Sequence, residues 1–181
     1  MQTYIALLRG INVGGHRKIL MADLKLLLND LIFKDVKTYI QSGNVVLNSD
    51  KDLPTIQKEI SEAIRLKFGF DVIVIAKTIV DFKSIFDSCP FQLEEKEKSY
   101  FMLLDNAPNK SGLEAIEGIS YDNEKFKITD SCIYFFASNR YGRTKFNSNY
   151  FEKKLKVNAT ARNYKTMLKL LSMAAVTQAE L

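Results

Sequence analysis

Over the first 77 residues the spacing of apolar side chains alternates between the two-residue period of a strand and the 3.6-residue period of a helix. This succession constrains the fold more than any other feature of the chain. TYIALLRG, rich in β-branched and aromatic residues, predicts a buried strand ending at Gly10. In MADLKLLLNDLIF, Leu24, Leu27, Leu28 and Leu31 recur at three- and four-residue spacing and predict a helix with one face on a core. VKTYIQSGNVVLNS then reads as two strands, Val36–Ile40 and Asn44–Asn48, turned at Ser42 and Gly43 into a hairpin. Asp52 is placed to cap a second helix, with Pro54 in its first turn, Ile56, Ile60 and Ile64 on one face and Gly69 at its end. Asp71–Lys77 returns as a strand. Strand, helix, strand, strand, helix, strand is the order of a split βαβ, or ferredoxin-like, unit.

The remaining chain continues in mixed style. Thr78 with Asp81 marks a helix start, and Ile79, Phe82, Ile85 and Phe86 form its apolar face before the break at Pro90. Glu94–Lys98, EEKEK, reads as a solvated loop. A strand over Tyr100–Asp105, a short helix over Gly112–Gly118, a hairpin of Lys125–Thr129 with Cys132–Ala137, a helix from about Asn149 and a last helix from about Tyr164 follow. The expectation is an α+β protein with a ferredoxin-like (βαββαβ) subdomain over 1–77 and a smaller α+β subdomain with C-terminal helices over 78–181.

Composition excludes several classes. The chain is 46% apolar and 26% charged, with 26 Lys plus Arg against 21 Asp plus Glu, which is ordinary for a globular protein and leaves disorder and coiled coil without support. Its longest uncharged stretch, Thr38–Ser49, holds Gln41, Ser42, Gly43 and Asn44 and falls short of the ~18 residues a membrane helix needs. The apolar start lacks a basic region before it, so the expected location is the cytoplasm. Cys89 and Cys132 are far apart with no CxxC, and His16 is the single histidine, so no metal site, disulfide scaffold or cofactor is implied.

Charge distribution says more than its sum. Between Ser138 and Lys169 nine basic residues face one acidic residue, Glu152. The chain has 20 Lys and six Arg, yet Arg9, Arg17, Arg140, Arg143 and Arg162 fall in loops or at element ends. A guanidinium fork matches phosphate or carboxylate oxygens bidentately, so arginine beside glycine invites an anion-site reading. LRGINVGGHRK, Leu8–Lys18, offers glycine backbone for close approach to a ligand. It is not a P-loop: Gly10 and Gly15 have the right separation, but His16 stands at the lysine position and Arg17 at the hydroxyl position.

Together ALLRGINVGGHRK, MADLK, VKTYIQSGNVV, YGRTKF and TARNYKTMLKL make the chain resemble the domain-of-unknown-function 1697 family of bacterial proteins over essentially its whole length. Against the family pattern, Ile32 and Lys156 replace glycines, Asn158 replaces a proline and Tyr164 stands in for tryptophan. The resemblance implies a two-part α+β architecture with a ferredoxin-like first half and supplies no activity.

Three readings of function compete. The first is binding of a small phosphorylated or nucleotide-like ligand, with Arg9, Asn12, Gly14, Gly15, Gln41 and Asn44 meeting Arg140, Arg143, Lys145, Arg162 and Asn163 in a cleft between the halves. The second is single-stranded nucleic-acid binding, favoured by the basic C-terminal segment but lacking an aromatic platform in the third strand, NVVLN. The third is an enzyme with His16 or Asp23 as base, for which no nucleophile set, metal cluster or acidic dyad can be read. An alternative role for the Gln41–Asn44 segment is simply a good turn. The aromatic strand Ile133–Ala137 would be a pairing hazard at a sheet edge.

Overall fold

The structure, a computed structural model, describes residues 1–138 and 144–179. The chain divides into two compact units, Met1–Ser84 together with the C-terminal residues from Leu168 on, and Ile85–Met167. The architecture is α+β, with two four-stranded sheets, each antiparallel throughout.

In the first unit β1 (Gln2–Leu8) leads through a long connection to α1 (Met21–Asp30), then β2 (Lys34–Tyr39), β3 (Asn44–Ser49), α2 (Leu53–Phe68) and β4 (Val74–Thr78). The sheet order is β2-β3-β1-β4, so each helix joins two parallel strands that have a third between them, which is the split βαβ connectivity. Tyr4, Ala6 and Leu8 of β1 point to the same side as Val45 and Leu47 of β3, and the buried faces of α1 (Leu24, Leu27, Leu28) and α2 (Ile56, Ile60, Ile64) close over them. The α2 boundaries have a local cause. Asp52 accepts a hydrogen bond from the Thr55 N–H at 2.9 Å, Pro54 occupies the first turn, and Gly69 ends the helix at φ +79°. Ile32, which follows α1, takes the same left-handed conformation at φ +67° although it is β-branched.

After α3 (Ile79–Asp87), along which the chain passes into the second unit, a short α4 (Leu93–Lys96) precedes β5 (Tyr100–Leu104), α5 (Lys110–Glu114), β6 (Glu124–Ile128), β7 (Cys132–Ala137), α6 (Ser148–Leu155) and β8 (Ala159–Asn163), and α7 (Tyr164–Ala179) returns to the first unit from Leu168 on. From β5 to β8 the order is again βαββαβ, and the sheet order β6-β7-β5-β8 matches that of the first unit strand for strand. The register matches too. The Leu8 N–H donates to the Gly43 carbonyl at 2.8 Å and the Leu104 N–H to that of Ser131 at 2.9 Å. The Arg9 N–H reaches Ile73 at 2.9 Å as the Asp105 N–H reaches Asn158 at 3.1 Å. Each last strand runs straight into a helix that its final residue caps: Thr78 Oγ1 accepts from the Asp81 N–H, and Asn163 Oδ1 from the Thr166 N–H. The core of this unit is aromatic, with Phe146 packed within 4.7–5.5 Å of the Phe126, Tyr121, Tyr150 and Phe151 ring centres.

The structure differs from the sequence expectation at three places. Ala159–Asn163, a segment to which the sequence reading assigns no element, is an edge strand paired to β5: its two alanines and Asn163 carry little strand propensity, and the ladder to β5 recruits it. For α7, which starts at Tyr164 as expected, the sequence spacing predicts Met167, Leu168 and Leu171 facing inward, whereas its buried apolar residues are Met167, Leu170 and Ala174 and Leu168 is 47% exposed. Residues Leu93–Lys96 form one helical turn within the segment read as a loop. Ile133–Ala137 lies inside β7, an interior strand flanked by β6 and β5, so it presents no open edge. Among the described residues no helix is long and apolar enough to cross a membrane.

Candidate functional site

The connection from β1 to α1 spans twelve residues, 9–20, and is built as a small hairpin. The His16 N–H donates to the Val13 carbonyl at 3.0 Å across Gly14 (φ +58°) and Gly15 (φ +80°), a two-residue turn of type I′ that needs left-handed backbone at both positions. Asn12 fixes this hairpin. Its Nδ2 donates to the carbonyls of Ile19 (2.9 Å) and Gln41 (2.8 Å), its Oδ1 accepts from the Ile19 N–H (2.9 Å), and its backbone N–H reaches the Arg17 carbonyl (3.1 Å). One amide thus ties the β1–α1 connection to the β2–β3 hairpin.

That hairpin is held from its other side. Asn44, fully buried, donates through Nδ2 to the Tyr39 carbonyl (2.9 Å) and to Ser42 Oγ (3.0 Å). Gly43, at φ +74°, lies so close to β1 that a Cβ there would stand 2.7 Å from Leu8 Cβ and 3.0 Å from Ile11. No side chain fits at that point.

Between these two loops, the start of α1 and the end of α2 lies a cavity of about 550 Å³, lined by Asn12, Gly15, Lys18, Ile19, Leu20, Asp23, Gln41 and Phe68. Its size is that of a small-molecule site. The walls divide by chemistry. Ile19, Leu20 and the Phe68 ring are apolar. Lys18, Asp23 and the Gln41 side chain supply a cation, an anion and an amide, and among the described residues none of the three makes a side-chain hydrogen bond or ion pair within the chain. α1 opens on this side without a side-chain cap, Leu20 being its N-cap residue, so first-turn N–H groups have no side-chain acceptor.

The sequence-derived candidates sort as follows. Asn12, Gly15 and Gln41 line the cavity; Asn12 spends its amide on the scaffold, and Gly14 serves the turn beside it. Arg9 is half-buried at the end of β1, and Asn44 is engaged inside its own hairpin. His16 and Arg17 are exposed on the small hairpin. In the second unit the Lys145 ammonium lies 4.5 Å above the Tyr121 ring, and Asn163 is the cap of α7. Arg162 is buried in β8, its Nη1 donating to Thr160 Oγ1 and the Ala161 carbonyl, both at 2.8 Å. Burial pulls its guanidinium down to about 10, which leaves it charged at neutral pH. Arg140 and Arg143 lie outside the described residues.

Sequence reasoning passed over Lys18, Ile19, Leu20 and Phe68. The available signal was at Phe68, four residues beyond Ile64 on the apolar stripe of α2 and directly before the terminating Gly69, where a helix face runs past its core.

Fold and cavity together define a two-unit α+β protein with a small-molecule-sized cavity on its first unit. The chain belongs to the family described as a protein of unknown function, DUF1697, whose model matches residues 1–134. No protein with a curated description matches it. Among solved structures it is similar to the conserved bacterial protein SP0830 from Streptococcus pneumoniae, at 24% identity and a TM-score of 0.74, over 96% of this chain and 98% of that one. That likeness concerns the fold.

Proposed function

We propose that the protein binds a small anionic ligand, a phosphorylated or nucleotide-like compound, in the cavity of its first unit. The observation that carries this reading is the convergence of Lys18, Asp23 and Gln41, polar side chains with no partner within the chain among the described residues, on a cavity whose other walls are apolar. Such a mixture is what a ligand site needs: apolar surface for affinity and a few polar groups for orientation. Lys18 supplies the positive charge for the anion, and the N–H groups at the open start of α1 add donors beside it. Asp23 keeps the site from being a simple anion trap, since its carboxylate is satisfied by a hydroxyl or amino donor on the same ligand. A protein of net charge +5 attracts such ligands at long range. We read it as a cytoplasmic protein drawing on the soluble phosphorylated metabolites of that compartment.

The test is titration calorimetry of the full chain with nucleoside monophosphates, sugar phosphates and a short single-stranded RNA, beside Lys18→Ala. Lys18 is exposed, so the variant folds normally, and loss of a charge-assisted contact should weaken binding on the order of tenfold or more. An RNA that binds where no mononucleotide or sugar phosphate does would overturn this reading in favour of nucleic-acid binding, as would small-molecule binding unaffected by Lys18→Ala in favour of a different site.

A further inference from the structure

We infer that the cavity receives a planar heteroaromatic ring, so that its ligand is a nucleotide rather than a sugar phosphate or free phosphate; this rests on the anion-binding reading above and makes it narrower. A sugar phosphate presents hydroxyls on nearly every face. In this cavity it would meet the Phe68 ring and the Ile19 and Leu20 side chains, which offer hydroxyls nothing in exchange for lost water. A nucleobase has the opposite distribution, with two apolar π faces and a polar edge.

Phe68 has the properties of a stacking wall. It is the last residue of α2, half-buried and lining the cavity, and its ring is anchored by stacking on Phe70 at 6.3 Å between centres, with the Lys67 ammonium 6.0 Å from the ring centre. Ile19 and Leu20 belong to the chain segment entering α1 and supply apolar surface within the same cavity. The polar groups are distributed to suit a nucleotide. Gln41 carries a donor and an acceptor on one planar amide, the pairing a base edge presents. Asp23 accepts hydrogen bonds from hydroxyls, as a ribose provides, and Lys18 holds the phosphate. Stacking on an aromatic ring is tolerant of base identity, so purine and pyrimidine nucleotides should both bind.

The experiment compares adenosine 5′-monophosphate, uridine 5′-monophosphate, ribose 5-phosphate and inorganic phosphate on the full chain by titration calorimetry, with Phe68→Leu and Gln41→Ala. Phe68→Leu keeps apolar volume and removes the ring, which guards the fold. Both nucleotides should bind at least tenfold more tightly than ribose 5-phosphate, and Phe68→Leu should erase most of that difference while leaving ribose 5-phosphate as it was. Gln41→Ala should weaken the two nucleotides unequally, because their ring edges differ. Equal affinity for nucleotide and ribose 5-phosphate would sink the inference and leave the anion site standing, as would a Phe68→Leu chain that keeps the full nucleotide preference. Failure of all four compounds to bind would end both.

Discussion

The two units share one chain topology and one sheet register but differ in their connections: the first unit has the longer ones at the end of the sheet where β1 finishes, and the second has the longer ones at the opposite end, where residues 115–123 lead into β6 against 31–33 into β2. Between the first strand and first helix the first unit has twelve residues, 9–20, and the second has five, 105–109. The hairpin of the first unit carries four residues beyond its closing pair Tyr39–Asn44, whereas the Thr129 N–H reaches the Cys132 carbonyl across only Asp130 and Ser131. Both longer connections border the cavity, and Asn12 ties them together. In the second unit the short first connection is held to the residue before β8: Asp105 accepts from the Asn158 backbone N–H at 2.8 Å and from its Nδ2 at 2.6 Å. Length beyond what a connection requires costs chain entropy. In the first unit the excess at this end is gathered around the cavity, which is a second reason to look for ligand binding there.

The sharpest contrast between the units is at the hairpin position that receives the first strand's final N–H. It is Gly43 in the first unit and Ser131 in the second. Gly43→Ala would force a Cβ to 2.7 Å from Leu8 and hold alanine at a left-handed φ, and together overpacking and backbone strain should cost about 3 kcal/mol. Ser131, half-exposed on a tight two-residue turn, should accept glycine with a change within about 0.5 kcal/mol. Urea denaturation of the two variants reads this directly. Similar midpoints would mean that the hairpin of the first unit is not pinned to β1 as described.

Local rules in the sequence account for much of the first unit. The α2 cap at Asp52, its Pro54 and its Gly69 each act through the neighbouring few residues, so they could be read without knowing the fold. The strand β8 could not, because Ala159 to Asn163 becomes a strand only through its pairing with β5, more than fifty residues earlier. Without that strand the repetition of topology in the second unit is invisible. The candidate site was legible in part. Glycines and polar residues marked loops that border the cavity, yet a sequence does not reveal whether an amide opens on a cavity or bonds its own backbone: Asn12 and Asn44 do the latter, and Gln41 does the former. Phe68 was hidden by belonging to a regular apolar stripe.

A smaller contrast lies in helix ends that lack glycine. Ile32 after α1 and Lys156 after α6 both sit in the left-handed region, at φ +67° and +58°. The backbone geometry at each is the one glycine adopts without penalty. Ile32 is 74% exposed, so its removal sacrifices little burial, and Ile32→Gly should stabilise the protein by about 1 kcal/mol, or roughly 3 °C in Tm. Lys156→Gly should give less, about 0.5 kcal/mol, because an unbranched side chain is less strained there. A drop in Tm for Ile32→Gly would show that its side chain makes a contact worth more than the strain.

At neutral pH the smallest contrast is silent, but it separates the units at the two ends of the pH scale. Asp52 in the first unit accepts hydrogen bonds from Thr55 at the start of α2, and this holds its carboxyl below the usual carboxylate value. A lowered native pKa means stability that is present above about pH 4 and lost as pH falls through the native value. Tyr134 in the second unit is buried and donates its hydroxyl to the Ile85 carbonyl at 2.8 Å, and burial, its largest cause, pushes the phenol well above its ordinary range. A raised native pKa has the opposite sign: its stability is intact below pH 10 and lost above it, at up to about 1.4 kcal/mol per pH unit. Asp52→Asn keeps a capping oxygen and should flatten the acid limb of a Tm-against-pH curve only slightly, since this carboxyl is exposed to water. Tyr134→Phe should flatten the alkaline limb while lowering Tm at neutral pH through the lost hydrogen bond. If Tyr134→Phe left the alkaline limb as steep as before, the buried phenol would not be the group that limits the second unit there.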